Sequence, residues 1–468
     1  MRTSGVVVDM LAKRLEISRS EGEIPTQSRP TPISPQDPKN AILRRIDSVL
    51  VCRVIFRYEI ACMRERYTKT TSVQLIGAPL SPGGAKHRTL EQRELPPPSE
   101  GEVQVSVRAT GLCGSDLHYY GHYRNGDIAV QEPLTLGHES AGVVTAVGAG
   151  VEGPDALRVG DHVALEVGLP CDACDFCRQG RYNICRAMSF RSSAKAFPHA
   201  QGTLQDRINH PARWCHKLPP NVSLAHGALA EPLAVALHGR RRAQLAPGST
   251  VLVLGAGAMG LLCAFASRAA GARAVVIADI QADRVQFAVD HGFADAGVAV
   301  PLPAAKRPET VDEKLAYARA LADTVKAAEV PGPRSEGGGK GTAKVPVGEV
   351  SVTFECTGVE SCMQTAIYAT QPGGKVMIIG MGNPIQTLPI SAASLREVDL
   401  VGVFRYANAY PEVIQLLARE DKSLPDVGKL VTQRFRGLDS IPAAFDTAAK
   451  VRDGKGDLVL KVMVDLSE

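Results

Sequence analysis

Four cysteines fall within 15 residues, at Cys171, Cys174, Cys177 and Cys185. Thiolates at such short spacings suit a tetrahedral Zn²⁺, which takes four soft ligands at about 2.3 Å. With all four positions filled, nothing is left for water or substrate, so such a site is structural. No proline follows the last cysteine and no second cluster appears, which disfavours an iron–sulfur centre. A redox-reactive or unmetallated cluster is the remaining alternative.

A second chemical signal is the turn Gly255-Ala-Gly257-Ala-Met259-Gly260, set between an apolar run and a helix-compatible stretch. Glycines there permit a tight turn and close approach of the backbone to a pyrophosphate at a helix N-terminus. Asp279 lies 19 residues beyond Gly260, where a carboxylate can accept hydrogen bonds from a ribose and would repel a 2′-phosphate. Arg284 could partly offset that repulsion, so the residues favour NAD without excluding NADP.

The third constellation is dispersed: Gly111-Leu-Cys113-Gly-Ser115-Asp116, Gly137-His138-Glu139 and Glu231-Pro232. Cys, His and a carboxylate with one open coordination position describe a catalytic zinc. Each residue alone also has an ordinary reading, a core cysteine or a solvated acid. The dinucleotide turn strengthens the metal reading, because hydride transfer to NAD needs a group that polarises an alcohol oxygen.

The elements that must carry these residues divide the chain. Residues 1–70 read as an N-terminal extension: Ser20 to Lys39 is rich in Pro, Ser and charge, as a disordered linker would be, and the apolar patch Val49 to Ile60 has no evident partner. Residues 71–229 show short strands between Gly and Pro turns. Val103 to Arg108 alternates apolar and polar residues, as a half-buried antiparallel strand should, and Ala141–Val147 and Gly160–Leu165 are further strands. Residues 230–401 alternate apolar runs (Thr250–Leu254, Ala274–Ala278, Val350–Phe354, Lys375–Ile379, Asp399–Val403) with helical spacing, as in Val311 to Ala328. That pattern predicts a doubly wound parallel sheet, with a surface loop over 331–347.

Composition narrows the partners. The chain has 468 residues, 53 Lys+Arg against 49 Asp+Glu, for a net charge of +4. That is too mild for nucleic acid or an anionic membrane as the main partner, and Asp172 and Asp175 place acids inside the cysteine loop. No apolar run reaches the ~20 residues of a membrane span. Asp9, Glu16, Glu21 and Glu23 argue against a transit peptide, so a cytoplasmic protein with reduced cysteines is expected.

From about Val73 onward the chain resembles the zinc-containing medium-chain dehydrogenase/reductase family. Gly137-His-Glu-x2-Gly142-x5-Gly148-x2-Val151 matches that family's zinc signature. Within it the chain looks most like the sorbitol, xylitol and L-arabinitol dehydrogenases, particularly fungal ones, which often keep the four-cysteine loop that animal members generally lack. The residues that carry this likeness are Gly111 to Tyr119, Ile208 to His216, Glu231-Pro-Leu-Ala-Val and Val403-Phe-Arg405-Tyr406.

The resemblance implies a GroES-like β-rich catalytic domain, completed by 402–468, plus a Rossmann domain. Cys113, His138 and Glu139 would take the catalytic zinc, and Cys171, Cys174, Cys177 and Cys185 a structural one. Glu231 would hold a zinc-bound water where simple alcohol dehydrogenases place a second cysteine. Ser115 would accept the proton of a polyol's secondary hydroxyl and His118 pass it towards solvent, while hydride goes to NAD and a ketose forms. Tyr119, Phe190, Arg405 and Tyr406 would line the substrate cleft, and Gly255, Gly257, Met259, Gly260, Asp279 and Arg284 would hold the dinucleotide. The resemblance further implies a homo-oligomer, commonly a tetramer. The rivals are a threonine- or butanediol-type dehydrogenase of the same fold and a non-catalytic zinc-binding protein.

Overall fold

Strand β1 (Glu102–Gly111) is the centre of the N-terminal sheet. It pairs antiparallel along one edge with β2 (Glu139–Val147), which in turn pairs with β3 (His162–Leu165). Its other edge is shared: β4 (Arg207–Pro211) pairs with its first half and β13 (Lys461–Asp465) with its last residues, Ala109 to Gly111. β5 (Cys215–Lys217) joins β3, and β12 (Val431–Arg436) joins β13. The alternation in Val103 to Arg108 predicted one wet face, but Gln104 and Ser106 are buried as well. Strands on both edges and covered faces leave β1 little solvent, and its polar side chains turn to partners such as Asn209.

The computed structural model describes residues 68–76, 87–301, 308–332, 343–420 and 423–466, all within one unit that starts at Arg66. The expected linker and apolar patch lie outside them. A hairpin of Thr68–Ile76 with His87–Leu95 begins inside the expected extension. Among the described residues no helix is long and apolar enough to cross a membrane.

The second sheet is wholly parallel, in the order β8 (Ala296–Ala299), β7 (Ala274–Asp279), β6 (Thr250–Leu254), β9 (Val350–Glu355), β10 (Thr370–Ile378), β11 (Asp399–Gly402). Counted along the chain this is 3-2-1-4-5-6, the order of a dinucleotide-binding sheet with its switch point between strands 1 and 4. Val251 to Leu254 and Ala274 to Ala278 are buried throughout, as continuous apolar strands covered on both faces must be.

Helices set the approach to both sheets. α1 (Gly114–His122) follows β1, α2 (Ala230–Ala243) links the two sheets, and α3 (Ala258–Ala269) follows the glycine turn. α4 (Val311–Lys326) opens with a capping box: the Thr310 hydroxyl accepts from the Glu313 amide, and the Glu313 carboxylate accepts from the Thr310 amide. The ends of the inserted segment pair with each other, where the sequence suggested a plain loop. Glu329–Pro331 pairs antiparallel with Lys344–Pro346, and 333–342 lie outside the described residues. The core around α2, α3 and β6 runs on into Ala109, Ala141 and Met463 of the first sheet.

Candidate active site and metal centres

The end of β1 delivers Cys113 as the N-cap of α1. The start of β2 delivers His138 and Glu139 alongside it, since Glu139 is in register with Gly111. The Cys113 sulfur, a His138 ring nitrogen and a Glu139 oxygen all lie within 4.8 Å of one another. Asp116, fully buried on α1, orients them. Its Oδ1 accepts from Gly137 N and Ser192 Oγ and faces His138 Nδ1 at 3.2 Å, while its Oδ2 accepts from Cys113 N. A His138 that donates from Nδ1 leaves Nε2 free as a ligand. Burial works to raise the Asp116 carboxyl, but the charge and hydrogen bond of His138 and the other donors outweigh it and hold the group low.

Lys461 is the residue that motif reading missed. It reaches in from β13, and its buried Nζ sits 2.8 and 2.7 Å from the two Glu139 oxygens and 3.2 Å from Leu112 O. Glu231, in the first turn of α2, is 5% exposed. Burial pushes its carboxyl up to about 7; His138 and Lys461 oppose this and Glu139 adds to it. Glu231 stands outside the three-donor group. A cysteine sulfur, an imidazole and a carboxylate whose donor atoms lie this close together are the ligand types of a catalytic zinc.

Several of the residues expected to line a substrate cleft gather nearby. Phe190 lies against the His138 ring, centroids 5.6 Å apart, and the Arg405 guanidinium stacks 3.6 Å above Phe190. Burial draws Arg405 down to about 10, against the pull of Tyr406, Glu231 and Tyr119, so it keeps its charge at neutral pH. Tyr119 and Tyr406 are buried, and the Tyr119 hydroxyl accepts from Ala194 N. Ser115 is half-buried and His118 exposed; three residues apart on α1, they share a face.

The four-cysteine loop supplies the other centre. The Cys171–Cys177, Cys174–Cys177 and Cys171–Cys185 sulfurs are 4.0, 3.5 and 3.5 Å apart. Ligands at about 2.3 Å in a tetrahedron sit about 3.8 Å from each other, so the loop is already shaped for zinc. The Cys177 amide is the main reason the Cys174 thiol is drawn down to about 6, a bias towards the thiolate a metal needs.

The glycine turn closes around Asp279. Its Oδ2 accepts from Ala256 N at 2.7 Å and its Oδ1 from Gln281 N at 2.8 Å. Gly255 has φ +98°, and a Cβ on Gly260 would lie 1.7 Å from Gly255 O. Gly255, Gly257, Asp279 and Arg284 line a cavity of ≈ 640 Å³. Arg284 also donates to Val459 O. Met259 instead packs against the apolar core, and Gly260 serves the close approach of helix to turn. Thr357, Lys314 and Asn383 complete walls that the turn motif did not point to.

Residues 99–220 match the alcohol dehydrogenase GroES-like domain, and 258–419 match the zinc-binding dehydrogenase domain. The chain is 38% identical to a sorbitol dehydrogenase of Arabidopsis thaliana, over 80% of this chain and 90% of that one. It is 39% identical to an L-arabinitol 4-dehydrogenase of Hypocrea jecorina, over 78% and 85%. The crystal structure of 2R,3R-butanediol dehydrogenase from Bacillus subtilis superposes with a TM-score of 0.65 at 27% identity, over 85% of this chain and all of that one.

Proposed function

The chain belongs to the zinc-containing medium-chain dehydrogenase/reductase family, in its polyol dehydrogenase group, and from that premise we propose that it oxidises a secondary hydroxyl of sorbitol, xylitol or L-arabinitol to the ketose with NAD as acceptor. The observation that carries this reading is the half-buried, charged Arg405 stacked on Phe190, whose ring lies against His138 of the Cys113, His138 and Glu139 donors. A guanidinium offers several hydrogen bonds to a polyhydroxylated chain and little to an aliphatic one. That also counts against the butanediol-type alternative.

Cys113, His138 and Glu139 would hold the catalytic zinc, the four loop cysteines the structural zinc, and the Gly255–Gly260 turn with Asp279 the NAD. With both groups bound, the chemistry they supply is polarisation of the hydroxyl oxygen and acceptance of hydride. Ser115 takes the hydroxyl proton, and His118, one turn along α1, hands it to solvent. Glu231, raised to about 7, both accepts and donates near neutral pH and orients a water beside the donors. Arg405, Tyr119 and Tyr406 align the remaining hydroxyls. The catalytic domain comprises 71–229 with 402–468, and the enzyme is a cytoplasmic homo-oligomer.

The test is NAD reduction with sorbitol, xylitol, L-arabinitol and ethanol, alongside zinc analysis of the purified protein. Highest kcat/KM on a polyol is expected; highest turnover on ethanol would overturn the assignment. His138→Ala should remove one of two zincs per chain and lower kcat/KM at least about 10³-fold.

A further inference from the structure

A second cavity, of ≈ 440 Å³, opens between the end of the cysteine loop, the C-terminal end of α2 and the segment around the end of β11. Its walls are pinned to one another. Asn183 Nδ2 donates to Phe404 O at 2.8 Å, Asn408 Nδ2 to Gly180 O at 2.8 Å, and Asn408 N to Tyr182 Oη at 2.7 Å. Arg241 adds a bond to Asn408 O, and its charge is met by Glu412. Arg181 and Arg242 also line the cavity, and among the described residues neither guanidinium has a hydrogen-bond or ion-pair partner. His238 lines the same cavity, half-buried, with its Nε2 3.4 Å from Asn183 Nδ2, and its ring is lowered to about 4 first by burial and then by Arg242, Arg241 and Arg181. Positive charge therefore converges on a bowl whose walls are pinned by hydrogen bonds and whose lining residues include no acid.

We propose that this cavity is a binding site for a phosphate monoester of sugar size, separate from the site of hydride transfer. Two unpaired guanidiniums can grip a dianionic phosphate bidentately, and pre-pinned walls spare the ordering cost of binding. The volume exceeds what inorganic phosphate alone needs and lies in the range of small-molecule pockets. Asn183, His238 and the backbone of 402–408 offer the neutral polar groups that a hydroxylated body would meet. The same segment carries Arg405 and Tyr406, with Arg405 at φ 53° and Asn408 at φ 55°, so the anion would rest against the back of the proposed substrate wall.

The experiment is calorimetric titration of the full-length, zinc-loaded protein with sorbitol 6-phosphate and with inorganic phosphate. Saturable binding of the ester at about 1 mM or tighter is expected, weakened about tenfold or more in Arg181→Gln/Arg242→Gln and retained in His138→Ala. Both arginines are exposed, and Arg242→Gln alone serves if the double variant folds poorly. Absence of saturable binding, or binding unchanged by the arginine variants, overturns the proposal. Binding lost in His138→Ala but kept in the arginine variants would place the anion in the active site and also overturn it. So would a parent that binds no anion and a double variant of altered native mass, since the arginines would then belong to a subunit contact.

Discussion

Lys461 sets the charge of the three-donor group. Its ammonium is the buried cation that faces Glu139, with Cys113 and Glu231 close enough to reinforce its charge. Removing one partner of a buried ion pair costs about 3–5 kcal/mol, because the other charge is stranded. Lys461→Met is therefore expected to lose about 3 kcal/mol in urea unfolding, with Lys461→Arg recovering much of it. Equal stability of Lys461→Met and the parent would mean that Glu139 is balanced from elsewhere. The donors themselves were legible in the sequence, because Gly137-His138-Glu139 and Cys113 sit in motifs with metal-ligand chemistry. Asp116 and Lys461 were not. An aspartate three residues after an N-cap reads as a cap, and Lys461 lies 322 residues from Glu139 in the chain, joined only by the return of β13 to β1.

At the scale of elements, the glycine turn is where geometry is least forgiving. The 1.7 Å approach of a Gly260 Cβ to Gly255 O is far inside van der Waals contact, and the opposing atom is backbone that cannot swing away. Gly260→Ala should cost about 3 kcal/mol in thermal or urea unfolding and abolish NADH binding followed by its fluorescence. Asp279→Ala separates the two duties of that carboxylate. It loses the acceptor for Ala256 N and Gln281 N, and the repulsion of a 2′-phosphate goes with it. The ratio of kcat/KM for NAD over NADP should fall about tenfold or more; an unchanged ratio would remove Asp279 from cofactor choice. The parallel strands were readable because burial on both faces writes a continuous apolar run. β1 was misread as half-wet because its alternating Gln104 and Ser106 are satisfied inside by neighbouring strands. α2 went unpredicted: its Glu231-Pro232 start looks like a domain junction, and its alanines give no amphipathic stripe, since from Ala230 to Gly239 nearly every side is packed.

Across the whole molecule, the end of the four-cysteine loop and the segment that carries Arg405 and Tyr406 are tied together. The short helix Tyr182–Ile184 leads into Cys185, and the Tyr182 hydroxyl donates to buried Glu166 at 2.6 Å while accepting from Asn408 N. His216 Nε2 meets the other Glu166 oxygen at 2.7 Å, and its ring stacks on Tyr410. Asn183 holds Phe404 O. Arg405 and Tyr406 thus hang between two anchors that both originate in the cysteine loop. Among the described residues the glycine turn shows no hydrogen bond to the cysteine loop: Ala256 N donates to Asp279 at the end of β7, and Arg284 beside it to Val459 O. Cys174→Ser, which removes one ligand of the tetrahedral set, should therefore release one zinc per chain, lower the melting temperature and raise KM for the polyol about threefold or more. KM for NAD should move little. Equal rises in both constants would indicate general loosening rather than transmission through Tyr182 and Asn183. A melting shift with neither constant changed would confine the loop to stability alone.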